Sequence, residues 1–294
     1  MRASPDAARR KARFGVSAWI YGDAPLDETL GRIAAAGYDG VELPGEPGRW
    51  APAEIRRLLS HHGLVPLALT ASCAVPATRR DLAHPDPAIR SDAVRYVVDC
   101  LRLATEIGAP LVQMLPSGET RLAPIATSKE EWAWSVEGMH RAAREAERLG
   151  VRIAVEPLNR YEAYLVTSTV EASAYLDAVG SPWVGMTLDL FHANIEEPDI
   201  GRSIAAIGGR LWHVQVADTN RRGLGHGHLD VTAVSGALRD VGYTGALVVE
   251  IMAPGPDPFQ PMKDDGSAAI LDGDLRETLA RLRTLWPSAR SAAP

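Results

Sequence analysis

The chain has 294 residues, 46% of them hydrophobic, and a formal charge of −6, which is enough apolar material for a large buried core. The negative charge argues against a nucleic-acid partner, because surfaces that bind nucleic acid carry a clustered basic face. No run of 18 apolar residues is present, so no membrane span is expected, and Cys73 and Cys100 are too few for a disulfide framework, which favours a reducing, cytoplasmic location.

Both ends of the chain have the composition of disordered segments. Residues 1–13, MRASPDAARRKAR, are basic, but the apolar h-region of a signal peptide does not follow them. We therefore interpret them as a disordered lead and not as a signal peptide. Residues 287–294, PSARSAAP, are predicted to form a disordered tail.

Between these ends, short apolar segments alternate with amphipathic ones. The predicted strands are FGVSAWI (14–20), GVELP (40–44), VPLALTAS (65–72), LVQMLP (111–116), RIAVEPL (152–158), VGMTLDLFH (184–192), LWHVQVAD (211–218) and GALVVEIM (245–252). The predicted helices are 26–37, 51–63, 88–107, 129–149, 168–179, 199–207, 232–241 and 268–285. Apolar strands separated by helices indicate a parallel sheet covered on both faces. Eight such units predict the α/β class and a single-domain (β/α)8 TIM barrel over 14–286.

The main alternative to a closed barrel is a doubly wound open sheet. The segment after the first strand, AWIYGDAPL (18–26), lacks the GxGxxG pattern of a dinucleotide-binding loop, which weakens that alternative. The longest predicted insert is 253–267, APGPDPFQPMKDDGS. It follows the eighth strand on the side where barrels carry their active sites, so it could act as a lid.

Four oxygen-bearing side chains lie in or at the ends of the last four strands: Glu156, Asp189, Gln215 and Glu250. Their spacings of 33, 26 and 35 residues match one strand-plus-helix unit each, so a barrel would bring them to one mouth. Three carboxylates sharing a mouth without a cation would repel one another, and the set therefore predicts a divalent metal. Taken alone, each carboxylate could instead form a salt bridge, such as Glu156 with Arg160, and Gln215 could simply be a hydrogen-bonded residue of the barrel.

Histidines near these strands have more than one interpretation. His213 lies two residues before Gln215 and so on the same strand face, where it would support the site or fill the barrel core. His226 and His228 belong to a glycine-rich loop, where histidines are more often exposed than ligands. The sequence leaves open whether any of the three touches the site.

Four segments resemble the site segments of one enzyme group: VEPLNRYE (155–162), LDLFHANIEE (188–197), DTNRRGLGHG (218–227) and LVVEIM (247–252). They occur in order, and the similarity extends from about residue 14 to 286. The chain thereby resembles the xylose-isomerase-like TIM-barrel superfamily of sugar isomerases and epimerases. Within it, the chain is most similar to ketose 3-epimerases of the tagatose/psicose (allulose) type.

The resemblance implies a site and a reaction. Glu156, Asp189, Gln215 and Glu250 would hold one divalent ion, Mn²⁺ first and Co²⁺ or Mg²⁺ as alternatives. Glu156 and Glu250 would also form the catalytic acid/base pair. The substrate-binding residues would be Glu162, His192 and Arg221. The implied activity interconverts C3 epimers of a free ketose, a small sugar substrate, through an enediolate. We also expect a homo-oligomer, a dimer or a tetramer.

Alternatives on the same metal site remain open. They are an aldose–ketose isomerase, a hydroxypyruvate-type isomerase and an inosose dehydratase. Position 215 is histidine in the well-known ketose epimerases, and glutamine there resembles the hydroxypyruvate-isomerase branch. Leu224 replaces a proline that is common in the turn of the third segment. The DNA-repair endonucleases of this barrel type need histidines at several strand ends, and the third and fourth strands here have none.

Overall fold

The protein is described by a computed structural model that covers residues 13–70, 80–257 and 259–286. Within these residues, parallel strands close into a barrel in chain order, β1 to β8, with β1 pairing both β2 and β8. The strands are β1 (Arg13–Ser17), β2 (Gly40–Pro44), β3 (Val65–Thr70), β4 (Leu111–Met114), β5 (Arg152–Val155), β6 (Val184–Asp189), β7 (Leu211–Val216) and β8 (Ala246–Val249). The prediction of a (β/α)8 barrel is confirmed.

Every strand is followed by at least one helix. The helices are α1 (Leu26–Ala35), α2 (Pro52–His62), α3 (Pro87–Ile107), α4 (Ser128–Leu149), α5 (Thr169–Val179), α6 (Leu190–Glu196), α7 (Ile200–Ile207), α8 (Val231–Asp240) and α9 (Ser267–Leu285). Arg13, the last residue of the predicted lead, begins β1. The rest of that lead, the predicted tail at 287–294, the end of the third predicted strand at 71–72 and Cys73 lie outside the described residues.

Helix α6 corrects the predicted strand over 184–192. The strand ends at Asp189, and the next residues form a helix that the sequence analysis did not separate from it. Asp189 is the reason, because its Oδ1 accepts hydrogen bonds from the backbone N–H groups of Phe191 (2.6 Å) and His192 (3.3 Å). A carboxylate in this position caps a helix N-terminus. The segment predicted as one strand is therefore divided between a strand and a helix.

Sequence signals at the helix ends explain most of the boundaries. Asp86, Thr127 and Ser168 cap α3, α4 and α5 through side-chain oxygens that accept backbone hydrogen bonds. Gly37 was predicted to stop the first helix. It follows the C-cap of α1 with a φ of 91°, a conformation in which glycine carries no steric penalty.

The barrel interior contains polar side chains as well as apolar ones. Glu42 of β2 contacts His213 and Gln215 of β7, although neither strand is adjacent to the other in the sheet. A direct contact between non-neighbouring strands of a closed barrel has to cross its interior. The apolar core, by contrast, lies mainly between the barrel and the helices, where residues such as Leu30, Val97 and Leu275 are fully buried.

The segment between β8 and α9 contains no helix or strand in its described part, residues 250–257 and 259–266. Met262 from this segment packs against the main apolar core. The lid role of 253–267 stays a prediction. None of the helices within the described ranges is long and apolar enough to cross a membrane.

Candidate active site

The four predicted metal ligands lie at the C-terminal ends of consecutive strands. Asp189 ends β6 and pairs in register with Gln215 of β7. Glu156 and Glu250 directly follow β5 and β8, and their N–H groups extend the sheet by bonding Met114 O and Val216 O, each at 3.0 Å. All four side chains belong to buried residues. Each strand therefore delivers one oxygen donor to the same end of the barrel, as the spacing predicted.

Two of these oxygens are buried without a hydrogen-bond partner among the described residues: Asp189 Oδ2 and Gln215 Oε1. A buried polar atom left unpaired costs free energy, so such atoms call for a ligand. One ligand atom each of Glu156, Asp189 and His192 lie within 4.8 Å of one another. Carboxylate and amide oxygens are the donors that Mg²⁺ and Mn²⁺ favour. The residues present thus fit a divalent cation.

Glu156 and Glu250 are each held by one hydrogen-bond donor. The amide Nε2 of Gln113 donates to Glu156 Oε2, and the indole Nε1 of Trp19 donates to Glu250 Oε1. These two hydrogen bonds do not involve the other carboxylate oxygens, Glu156 Oε1 and Glu250 Oε2. Because β6 and β7 lie between β5 and β8, the two carboxylates approach the mouth from different sides, with Asp189 and Gln215 between them.

The clustered carboxylates perturb one another's protonation. Burial, reinforced by the negative charge of Glu250, raises the pKa of Glu156 well above its ordinary value. Burial, reinforced by Asp189, does the same to the pKa of Glu250, and the nearby guanidinium of Arg221 opposes both shifts. Groups with strongly perturbed pKa values in one cleft are typical of functional sites. A cation among them would favour the ionised forms and lower both pKa values.

Two of the three predicted substrate-binding residues, Glu162 and His192, contact Asn159, and the third, Arg221, lies near Glu162. The amide Nδ2 of Asn159 lies 2.9 Å from Glu162 Oε1 and 2.7 Å from His192 Nδ1. The backbone N–H of Asn159 also donates to His192 Nδ1, at 3.3 Å. Burial lowers the pKa of His192, so the ring is neutral near pH 7. With Nδ1 accepting, a neutral ring carries its proton on Nε2, which lies 3.9 Å from Glu156 Oε1.

Arg221 extends its guanidinium between two of the site carboxylates. Its terminal nitrogens lie 3.6 Å from Glu162 Oε1 and 3.9 Å from Glu250 Oε2. The group sits 4.8 Å from the ring centre of Phe191 and 5.7 Å from that of Trp19, within range of cation–π attraction. Arg221 has a positive φ of 59°, so the loop must hold it in a conformation that non-glycine residues seldom adopt.

Asp218 organises that loop. Its carboxylate is buried and accepts backbone hydrogen bonds from Thr219 (2.8 Å), Gly225 (2.7 Å) and Leu229 (3.0 Å). Burial by itself would raise the pKa of Asp218, but these N–H donors hold it below the ordinary value. The carboxylate therefore stabilises the folded loop at neutral pH, and this contribution is lost only as the pH falls through that lowered pKa.

We expect Asp218→Asn to destabilise the protein by about 2 to 3 kcal/mol, because an amide cannot accept all of these bonds and turns an NH₂ toward an N–H group. Since Arg221 depends on the same loop, kcat/KM should fall on the order of tenfold or more. Thermal unfolding and steady-state kinetics measure the two effects. Asp230→Asn is the matched control, because Asp230 caps α8 from the same loop and asparagine caps equally well. Equal behaviour of the two variants would contradict the role of Asp218.

Other predicted candidates lie elsewhere. Arg160 pairs with Glu196 at 2.9 Å, so the alternative salt bridge to Glu156 is not formed. His226 Nε2 lies 3.2 Å from Glu277, and His228 Nδ1 lies 3.1 Å from Thr219 Oγ1. His213 contacts Glu42 within the barrel, as expected for a supporting or core residue.

Three residues of this region were missed by the sequence analysis. Gln113 and Glu42 each stood as one polar residue within an apolar strand, LVQM and GVELP, and that interruption was their only signal. Asn159 lies in the quoted segment VEPLNRYE but was assigned no role.

Comparison with known proteins agrees with the barrel fold. Residues 30–282 match the family model described as "Xylose isomerase-like TIM barrel". An L-ribulose 3-epimerase of Methylomonas sp. is 31% identical over 290 residues, which cover 94% of this chain and 92% of the relative. A D-psicose 3-epimerase of Ruminiclostridium cellulolyticum is 31% identical over 225 residues, covering 74% and 75%.

A solved structure of D-psicose 3-epimerase with D-tagatose, from Clostridium cellulolyticum H10, superposes with a TM-score of 0.83. It is 25% identical to this chain, and the match covers 93% of this chain and 99% of that one. These relatives are named epimerases, which are isomerase-class enzymes. The family model alone spans most of the chain, and the L-ribulose 3-epimerase matches it over 94% of this chain and 92% of the relative. The chain belongs to the xylose isomerase-like TIM-barrel family.

Proposed function

We propose that the protein is a divalent-metal-dependent ketose 3-epimerase that interconverts C3 epimers of a free ketose through an enediolate. The observation that carries this proposal is the buried pair Glu156 and Glu250, which reach one mouth from different sides. The unpartnered oxygens of Asp189 and Gln215 lie on the strands between them. The names of the relatives, L-ribulose 3-epimerase and D-psicose 3-epimerase, support the same activity.

Glu156, Asp189, Gln215 and Glu250 would hold the cation, and Mn²⁺ is the first choice, with Co²⁺ or Mg²⁺ as alternatives. A bound divalent ion would act as a Lewis acid toward the carbonyl and neighbouring hydroxyl oxygens of an α-hydroxyketone. Three carboxylates and one neutral amide make a donor set of oxygens only, which favours hard cations.

Inversion at C3 needs a base on one face of the carbon and an acid on the other. One carboxylate of the pair removes the C3 proton, and the other returns a proton to the opposite face. The hydrogen bonds from Gln113 and Trp19 orient the two carboxylates and leave one oxygen of each outside those bonds. Because the roles exchange with the direction of the reaction, both groups have to gain and lose a proton readily.

The remaining polar residues bind and polarise the substrate. Arg221 brings a permanent positive charge next to Glu250, and His192 directs a neutral Nε2–H toward Glu156. Both can donate hydrogen bonds to the sugar oxygen that becomes negative when the C3 proton leaves. Glu162, held by Asn159 and facing Arg221, can accept a hydrogen bond from a substrate hydroxyl.

The second candidate is an aldose–ketose or hydroxypyruvate-type isomerase on the same site. It differs only in the destination of the proton, which would go to the adjacent carbon. Gln215 is the observation that favours it, since glutamine here resembles the hydroxypyruvate-isomerase branch. An inosose dehydratase is a further variant of the same metal chemistry. We also propose that the protein acts in the cytoplasm as a homo-oligomer, a dimer or a tetramer.

A substrate panel tests the proposal. Ketohexoses, ketopentoses and hydroxypyruvate are incubated with the Mn²⁺-loaded protein, and the products are identified by chromatography against authentic standards. The proposal expects the C3 epimer of at least one free ketose. Aldose formation or turnover of hydroxypyruvate alone would favour the second candidate, and absence of any ketose turnover would contradict the proposal.

A further inference from the structure

Glu42 lies inside the barrel, in contact with the candidate metal ligand Gln215. The residue is fully buried on β2, and its two carboxylate oxygens contact two residues of β7 across the barrel. Oε2 lies 2.6 Å from Nε2 of His213, and Oε1 accepts a hydrogen bond from Nε2 of Gln215 at 3.1 Å. His213 and Gln215 are also almost completely buried, so these bonds form away from water.

The chemistry of this contact fixes the direction in which the Gln215 amide points. The amide nitrogen of Gln215 donates this hydrogen bond and a carboxylate oxygen of Glu42 accepts it, so the NH₂ group faces Glu42 and Gln215 Oε1 faces the other way. That oxygen is the one left buried with no partner among the described residues. The flipped amide would place its oxygen against the carboxylate and leave a buried NH₂ unpaired, at a cost in both places.

Orientation matters because the two ends of an amide differ toward a cation. The carbonyl oxygen can coordinate a divalent ion, whereas the NH₂ group carries positive partial charge and repels one. A histidine ligand presents no such choice, because a neutral ring with one protonated nitrogen has only its other nitrogen available to coordinate a metal. A glutamine ligand on a buried strand therefore needs a neighbour that accepts from its nitrogen.

We infer that Glu42 is a positioning residue for the metal site: it holds the Gln215 amide with the oxygen toward Asp189 and the site mouth, and His213 anchors Glu42 in turn. This inference rests on the proposed function, because it takes Gln215 as a metal ligand. Groups that orient metal ligands from behind typically change metal affinity by about 10- to 100-fold when they are altered.

Glu42→Gln tests the inference with little change in shape. The introduced amide can accept or donate a hydrogen bond, so it permits both orientations of Gln215. We expect the Mn²⁺ dissociation constant, measured by titration calorimetry, to rise roughly 10-fold or more. The increase in melting temperature on adding Mn²⁺ should shrink in parallel. Glu131→Gln is the matched control, since Glu131 is equally buried but bonds Arg121 and Tyr164 away from these ligands. This variant should unfold at a lower temperature and keep the wild-type dissociation constant.

Loss of a nearby negative charge could also weaken metal binding, and a double-mutant cycle separates the two causes. Glu42→Gln is measured in the wild-type background and in Gln215→Met, which has no amide to orient. A positioning role predicts a large factor in the first background and at most about a threefold factor in the second. An equal factor in both backgrounds would assign the effect to charge and overturn the inference.

The exchanged pair Glu42→Gln/Gln215→Glu covers the case in which Glu42→Gln alone does not fold. It keeps the total charge and the hydrogen bond, and a carboxylate at 215 presents an oxygen in either orientation. We expect a folded protein that binds Mn²⁺ at least as tightly as wild type. A folded exchanged pair without Mn²⁺ binding would contradict the inference.

Failure of the inference and failure of the proposed function give different results. Asp189→Asn keeps the helix cap and removes the charge of one ligand, so it should abolish Mn²⁺ binding if the proposed site is correct. Wild type that binds no divalent metal, or Asp189→Asn that binds as wild type, would overturn the proposed site. Normal binding by wild type, loss in Asp189→Asn and wild-type affinity in Glu42→Gln would overturn the positioning role alone.

Discussion

Replacing Glu156 or Glu250 with glutamine is expected to lower kcat by on the order of 10²-fold or more, the usual scale for removing a general acid or base. The amide neither removes nor returns a proton at C3. Each replacement keeps the size of the side chain and its acceptor oxygen, so Gln113 and Trp19 retain a hydrogen-bond partner. The measurement is kcat on the best ketose of the panel, at saturating Mn²⁺.

Metal occupancy has to be measured in both variants, because each also loses a ligand charge. Elemental analysis of the protein used in the assay gives the Mn²⁺ content, and kcat is expressed per bound ion. Glu171→Gln provides the control, since this residue belongs to the capping box of α5 and glutamine can take its place there. A variant of Glu156 or Glu250 with nearly wild-type kcat per ion would remove that residue from the acid/base pair.

Removing the metal is expected to abolish turnover. A chelator should bring the rate to background, and Mn²⁺ should restore it, because the proposed chemistry depends on a Lewis acid at the carbonyl end of the substrate. A metal ion that binds the folded state and not the unfolded state also stabilises the protein, by about 2.7 kcal/mol at a free metal concentration 100 times the dissociation constant. This corresponds to a rise of roughly 5 °C or more in melting temperature. Full activity in protein shown by elemental analysis to contain no metal would contradict the proposal.

The pH dependence of metal binding follows from the raised pKa values of Glu156 and Glu250. Between the ordinary carboxyl pKa and the raised values, the folded metal-free protein keeps protons that the unfolded chain has released. The free energy of unfolding of the metal-free protein therefore falls as the pH rises through this interval. A cation has to displace these protons. We therefore expect the apparent Mn²⁺ affinity to increase with pH until both raised pKa values are passed, with proton release detectable by calorimetry in buffers of different ionisation enthalpy.

The barrel and the placement of the four candidate ligands could be predicted from the sequence because both depend on local patterns. Apolar strands alternating with amphipathic helices indicate the fold, and a carboxylate that ends such a strand, as Glu156 does, is conspicuous among apolar residues. In a closed parallel barrel the chain order of the strands is also their order in space. Residues 156, 189, 215 and 250 were therefore expected at one mouth without any knowledge of side-chain contacts.

Two features depended on information that a local pattern does not contain. The division of 184–192 into β6 and α6 depends on Asp189, whose carboxylate caps a helix in the middle of an apolar run. The contact of Glu42 with His213 and Gln215 joins residues more than 170 positions apart, across the barrel interior. A single glutamate in GVELP carries no sign of its partners, because they are set by barrel closure and strand tilt.

Proton exchange at C3 tests the central claim most directly. The Mn²⁺-loaded protein is incubated in D₂O with the ketose that it converts, and the product is analysed by NMR. Transfer of protons by Glu156 and Glu250 predicts deuterium at C3 of the epimer, at a rate that falls on the order of 10²-fold in either glutamine variant. Product that retains hydrogen at C3, or that carries solvent deuterium only at C1, would contradict the account.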